Sequence, residues 1–293
     1  MSSWICTNVP RLKTKYHLYR TDTGRLASGM DSADAEKKGQ KIAQVHNWPK
    51  QLRDVVVAEP GKVFIGGDWA AIQWALAMWE AGNVVGDGYH HDLLDRQQQG
   101  ELDPHTFLAE KFDPGGGPSA RQRAKGYTFG RIFHGYPDVL ARECGHPVQT
   151  GREICRVHDE VYRLQAWWDY ELEQVLQRKY VETAGGFRKY FWDPIQRNSR
   201  GEVVRPKLQE ILATKIQGDE ADLLKWCMGH MPKDSEIELI TTLHDAMLIQ
   251  VWEDKVEYGK GWLTEVMGQP IPFLDNRSWR ATIKVGKNWK EVS

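Results

Sequence analysis

Hydrophobic and polar positions follow two rhythms along the 293 residues, strand-like toward the two ends and helix-like between them. Arg53 to Ala58 reads as a strand, Glu59-Pro60-Gly61-Lys62 as a tight turn and Val63 to Gly67 as a second strand, a hairpin that delivers Asp68. A long apolar helical pattern follows to about Ala81 and is ended by Gly82-Asn83. From there to about Arg200 the pattern is mainly helical, punctuated by Gly86-Asp87-Gly88, the Gly- and Pro-rich stretch 113–118, Gly135-Tyr136-Pro137 and Gly145-His146-Pro147. Tyr180 to Trp192 predicts an irregular hairpin around Gly185-Gly186, and Pro206 to Gly229 returns to a helix. Glu238 to Trp252 holds two apolar runs bent at His244-Asp245, and Ile283 to Trp289 predicts a short strand running into GKNW. The first 20 residues are mixed and basic, Thr21 to Ser28 is turn-rich, and Asp31 to Lys41 predicts an exposed polar loop.

Composition changes this picture little. With 41% hydrophobic and 27% charged residues the chain is an ordinary globular one, long enough for two or three subdomains. A net charge of −1 means that a polyanion must be met by a local basic surface. Arg178, Lys179, Arg188, Lys189, Arg197, Arg200, Arg205 and Lys207 supply one, against Glu182, Asp193 and Glu202. A solvated charged face explains that segment equally well. Cys6, Cys144, Cys155 and Cys227 form no CxxC pair, which fits a reducing compartment; Cys144, His146, Cys155 and His158 match no familiar zinc spacing. No apolar run is long enough to cross a bilayer and no signal peptide is visible, so the expected location is cytoplasmic, with no membrane partner. Most of the 13 tryptophans are expected in packing, a minority against bases.

Three stretches carry candidate chemistry. Asp68 follows a strand and two glycines, and reads either as the cap of the next helix or as a carboxylate held out to a cleft. Asp245 sits at the second strand-associated turn; two carboxylates on adjacent strands can bridge a pair of divalent ions, and Mg²⁺ prefers such oxygen ligands together with substrate phosphates. In RQRAKGYTFGRIFHG, Arg121, Lys125, Phe129 and Phe133 recur every four residues and line one helix face. Two cations and two rings on one face can grip a triphosphate and cover a base, or can be an amphipathic helix with snorkelling cations. Asp103-Pro104-His105 begins another helix, with His105 as a further phosphate donor.

Taken together, these stretches resemble the family A DNA polymerases, the group of bacterial DNA polymerase I and many phage replicases. TDTGRLAS resembles that family's TxTGRLSS, and LRDVVVAEPGKVFIGGDWAAIQ its motif A, which usually ends DYSQIE. HTFLAEKF followed by RQRAKGYTFGRIF resembles motif B, with its RxxxKxxxFxxxY spacing. YVETAGGFRKYF resembles the GYVxTxxGRRR hairpin, IQGDEADLLK the QGTAADIIK helix, LHDAMLIQV motif C, and VGKNW the usual ending. The resemblance runs from about residue 16 to the C-terminus. It implies an α+β fold: an antiparallel palm sheet from residues 1–83 (with motif A) and 201–293 (with motif C), and a mainly helical fingers subdomain, residues 84–200 (with motif B), inserted between them. The implied activity is template-directed DNA synthesis, adding dNTPs to a primer 3′-OH on two Mg²⁺ ions, with Mn²⁺ as a substitute.

The resemblance makes Asp68 and Asp245 the metal-binding carboxylates, with the Trp69 carbonyl as an extra ligand. Arg121, Lys125 and His105 contact the triphosphate, Lys125 or His105 stabilises the leaving group, and Phe129 and Phe133 flank the nucleotide. Arg25, Gln217, His244 and Arg188 touch primer or template. Several positions depart from the pattern. The glutamate beside the sugar 2′ position is Gln73 and its tyrosine partner Phe133, a coordinated replacement that predicts weaker rejection of ribonucleotides. Ala246 replaces the acid after Asp245, His134-Gly135 ends motif B where glycine comes first, and Gln209 replaces a template-side arginine. Only 20 residues precede Thr21, where the family carries a thumb. The expectation is a split, phage-type enzyme in host cytoplasm, working with a separate thumb/exonuclease polypeptide. Three alternatives stay open: an inactive polymerase-like subunit that binds nucleic acid, a metal phosphohydrolase using one of three His-Asp dipeptides, and a single-subunit RNA polymerase, whose motif A is less similar.

Overall fold

The computed structural model describes residues 16–17, 21–28, 49–233 and 236–293. Residues 1–15, including Cys6, and the polar stretch 31–41 lie outside the described residues. β1 (Tyr16–His17) pairs antiparallel with β2 (Ala27–Ser28). β3 (Lys62–Trp69) leads into α1 (Ile72–Val85), α2 (Tyr89–Gln99), α3 (Pro104–Phe112), α4 (Gly117–Ile132), α5 (Pro137–Glu143), α6 (Val148–Tyr162) and α7 (Gln165–Arg178). Two small hairpins follow, β4 (Tyr180–Glu182) with β5 (Arg188–Tyr190) and β6 (Ile195–Arg197) with β7 (Val203–Pro206). The chain ends through α8 (Leu208–Gly229), β8 (Glu238–Leu243), β9 (Ala246–Trp252), α9 (Val256–Gly268) and β10 (Ala281–Gly286). β10, β3, β9 and β8 lie side by side in one antiparallel sheet, so its strands come from both ends of the described chain with the helices between them in sequence. This is the expected α+β architecture. A boundary at residue 200 falls inside the β6–β7 hairpin.

β3 is the sheet's covered strand. Ile65 and Trp69 belong to the main core with Leu263 and Met267 of α9, while Phe64 packs on the opposite face with Leu248, Trp289 and Val292. Burial on both faces explains why the Val63-Phe64-Ile65 run shows no alternation. It also gives Gly66 and Gly67 a role that the sequence did not show. A Cβ on Gly66 would run into the Val292 carbonyl and one on Gly67 into Met267 Sδ, so these glycines admit packing from above and below the sheet.

The strand expected over Arg53–Ala58 is instead a 3₁₀ helix, Lys50–Val55, followed by a single bridge from Val57 to Asn288. Val55 and Val57 are exposed, and the Arg53 guanidinium rests 4.8 Å from the Trp289 ring centroid. The partners of β3 are therefore the distant strands β9 and β10 and not a preceding hairpin arm. α1 runs on past Gly82 to Val85, and Gly86, at φ 70°, ends it. Gly82 lies inside the helix because the His91 ring of α2 occupies the space a Cβ would take.

Behind the sheet, α1, α7 and α8 enclose an ionic cluster. Lys215 Nζ lies 2.8 Å from Glu80 Oε1 and 3.8 Å from Asp219 Oδ2, and donates to the Glu182 carbonyl at 3.1 Å. Burial pushes the neighbouring Glu171 carboxyl up from 4.5 to about 7. Folding therefore takes up a proton at Glu171 between those values. That contribution is complete below pH 4.5 and fades as pH rises to about 7, a loss of about 3 kcal/mol at most. Glu171→Gln cannot titrate, so thermal melts across this window should show the wild type losing stability against the variant. Parallel Tm profiles would contradict the assignment.

Candidate active site

Asp68 lies within β3, directly opposite Ala246 of β9 on one side and Thr282 of β10 on the other. It does not cap α1: the N-cap is Ala71, in the left-handed region at φ 51°, with no side-chain cap. That leaves the cleft reading of Asp68. The β8–β9 turn places Asp245 next to this register, with His244 at φ 55° making the reversal. The two carboxyl groups share a side-chain hydrogen bond. Burial first, then the charges of Glu220 and Asp68, push Asp245 well above the usual carboxylate range. Asp68 is also raised by burial, against the pull of Asp245 and of Lys284, Lys50 and Lys125. A cleft of about 210 Å³ opens here, with Lys50, Arg53 and Trp289 on its walls. Among the described residues no third carboxylate, thiolate or imidazole completes a three-ligand cation site.

α4 supplies the cations. Arg121 is held as a fork on Asp103, Nε to Oδ1 at 3.1 Å and Nη2 to Oδ2 at 2.8 Å. Asp103 is also the N-cap of α3, accepting from the Thr106 amide at 2.7 Å. Burial works against its charge, but Arg121 and Thr106 hold the carboxyl down at about 2. His105 is buried, its ring 5.5 Å from that of Phe129, and desolvation lowers it to about 4. It is therefore a neutral group at physiological pH, with Nδ1 unpartnered among the described residues. Lys125 is exposed, 5.6 Å over the Phe129 ring, and its charge reaches Asp68. Phe133 lies one residue past the end of α4 and packs against the main core.

The sequence reading missed Glu220. This acid of α8 is fully buried, and Arg25 Nη2 donates to both of its oxygens at 2.7 and 2.6 Å. Gln73 Nε2 donates to Oε2 at 2.9 Å, so Gln73 does have a partner, on α8 and not on α4. The available signal was an acid in the apolar run of IQGDEADLLK, which demands a cation that lies 195 residues away. Gln217 lies one turn earlier on α8, half-buried. Arg188 is exposed on β5, paired with Glu182 at 2.9 Å and 4.8 Å over Tyr180. The Trp69 indole points under the sheet, donating to the Met267 carbonyl at 3.0 Å.

Asp68 of β3 and Asp245 of the β8–β9 turn thus meet at one cleft, and the charge of Lys125 on α4 reaches Asp68. The model of DNA polymerase family A matches residues 1–291. The chain belongs to DNA polymerase family A. Among family relatives, the thermostable DNA polymerase I of Thermus filiformis is 28% identical over 96% of this chain and 33% of its own length. DNA polymerase I of Chloroflexus aurantiacus is 26% identical over 97% of this chain and 29% of its own length. The chain thus spans about a third of the curated relatives it matches. The POL domain of Pol1 from M. smegmatis, solved with DNA primer-template and dNTP, superposes with a TM-score of 0.76 over 95% of this chain and 48% of that one, at 19% identity, a likeness of fold.

His134, just past the end of α4, takes a left-handed backbone. It sits at φ 57°, its ring edge-on to Trp168 at 4.8 Å. Of the three His-Asp dipeptides, His91-Asp92 lies on α2 and His158-Asp159 on α6, where Asp159 is taken up by Arg131 at 2.6 Å. Only His244-Asp245 lines the cleft. Among the described residues no helix is long and apolar enough to cross a membrane.

Proposed function

We propose that this chain carries out template-directed DNA synthesis, joining a dNTP to a primer 3′-OH at the cleft between Asp68 and Asp245. The observation that carries the reading is the convergence of these two carboxyls, 177 residues apart in sequence, with the charge of Lys125 reaching Asp68. Asp68 and Asp245 form an oxygen-donor pair suited to Mg²⁺ and would hold it together with the Trp69 carbonyl. A divalent ion held there would supply Lewis acidity toward a primer hydroxyl and positive charge toward the triphosphate. Lys125 aligns the phosphates, neutral His105 offers one N–H to them, and Phe129 flanks sugar and base. Arg188, in the basic hairpins of residues 178–207, contacts primer or template together with His244 and Gln217.

The test is single-nucleotide extension of a labelled primer–template with Mg²⁺ and dNTPs, with Asp245→Asn as control. Extension by the wild type and not by the variant supports synthesis. Binding of primer–template without extension by either supports the reading of a nucleic-acid-binding subunit instead.

Arg121 must release Asp103 before it can fork onto a phosphate. Asp103→Asn keeps a cap on α3 and frees the guanidinium. Its KM for dNTP should fall by about threefold, in line with an exposed ion pair of about 0.5–1 kcal/mol. A raised KM would count against triphosphate binding by Arg121.

A further inference from the structure

Residue 73 carries Gln where the family pattern has Glu, and residue 220 carries Glu where it has Ala. The structure joins the two changes. Gln73 Nε2 donates to Glu220 Oε2 at 2.9 Å, and Arg25 Nη2 closes on the same carboxylate at 2.6 and 2.7 Å. Glu220 has no exposed surface, so its charge depends on Arg25, and its position is fixed by a cation and an amide from two distant segments. Phe133 has no hydroxyl to offer residue 73. Residue 73 is therefore anchored to α8 and carries no bond to α4, the helix that bears Arg121 and Lys125.

We propose that Glu220 is a positioning residue for sugar selection, holding the Gln73 side chain still as the wall beside the 2′ carbon of the incoming nucleotide. This rests on the polymerase reading of the cleft. An amide has several rotamers and enough length to swing aside; tied at Nε2 it keeps its bulk where a ribonucleotide's 2′-hydroxyl must go. In Glu220→Ala the anchor is lost and Arg25 is left without its carboxylate. In Gln73→Met the length stays, the donor goes and the Arg25–Glu220 pair is untouched.

The experiment measures kcat and KM for dGTP and GTP in single-nucleotide extension by wild type, Glu220→Ala and Gln73→Met. Both variants should lower the dGTP-to-GTP ratio of kcat/KM by about tenfold, as expected for loss of a buried charge-assisted hydrogen bond, mainly through a lower KM for GTP. A general loss of folding would instead reduce use of both nucleotides together. If Glu220→Ala does not fold, Gln73→Met decides. Equilibrium binding of dGTP and GTP to the chain on primer–template, with Ca²⁺ replacing Mg²⁺, reads the same ratio without turnover. A wild type that extends no primer overturns the reading of the cleft; a ratio left unchanged by both variants overturns the role of Glu220.

Discussion

Asp245→Asn is expected to slow nucleotide addition by at least about a thousandfold, about 4 kcal/mol of barrier, while Tm stays within about 2 °C of wild type. The two outcomes have one physical source. Burial, Glu220 and Asp68 push the Asp245 carboxyl well above the usual carboxylate range, toward its neutral form. An amide of the same shape is also neutral, and the fold has little to lose. The amide cannot ionise, however, and so cannot join Asp68 in holding a divalent cation. Millimolar Mg²⁺ should raise the Tm of the wild type and leave that of Asp245→Asn unchanged, since only a folded-state site gains from a ligand. Primer extension retained by the variant would remove the two-carboxylate mechanism.

What could be read from the sequence was local. The β8–β9 hairpin follows from two apolar runs broken by His244-Asp245, and the β4–β5 hairpin from Gly185-Gly186 between short polar-apolar stretches. The cap of α3 follows from Asp103-Pro104. The misreadings share a cause, which is that a distant segment settles the local choice. Arg53 to Val57 has the β-branched residues of a strand, but the edge beside β3 is taken by β10, from the other end of the chain. Gly82 looks like a helix stop because the His91 ring that needs its missing Cβ sits on the next helix. Motif spacing singled out Asp68, Asp245 and Lys125 as candidates. It could not find Lys284, two residues along β10 from the position opposite Asp68, nor the Arg25–Glu220–Gln73 cluster. Those depend on register and on helix rotation, which no single stretch of sequence encodes.

Lys125→Ala should lower kcat/KM for dNTPs by about a hundredfold, the second-largest effect expected of a single substitution. α4 carries four cations, and three are engaged within the protein: Arg121 with Asp103, Arg123 with Asp113, and Arg131 with Asp159 at 2.6 Å. Among the described residues Lys125 has no ion pair, and its charge reaches Asp68. A phosphate can recruit it without breaking another bond, whereas Arg121 gains only the difference between a phosphate and Asp103. Arg121→Ala should therefore lower kcat/KM less than Lys125→Ala does. The ranking is specific to this structure, because charge alone would favour the bidentate arginine. Stability should hardly change, since Lys125 is exposed and its contact with Phe129 contributes about 0.5–1 kcal/mol. Lys125→Arg should recover part of the loss by restoring charge at nearly the same reach. Equal or reversed losses for Arg121→Ala and Lys125→Ala would mean that the Asp103 fork opens freely, and that Lys125 is not the principal contact to the triphosphate.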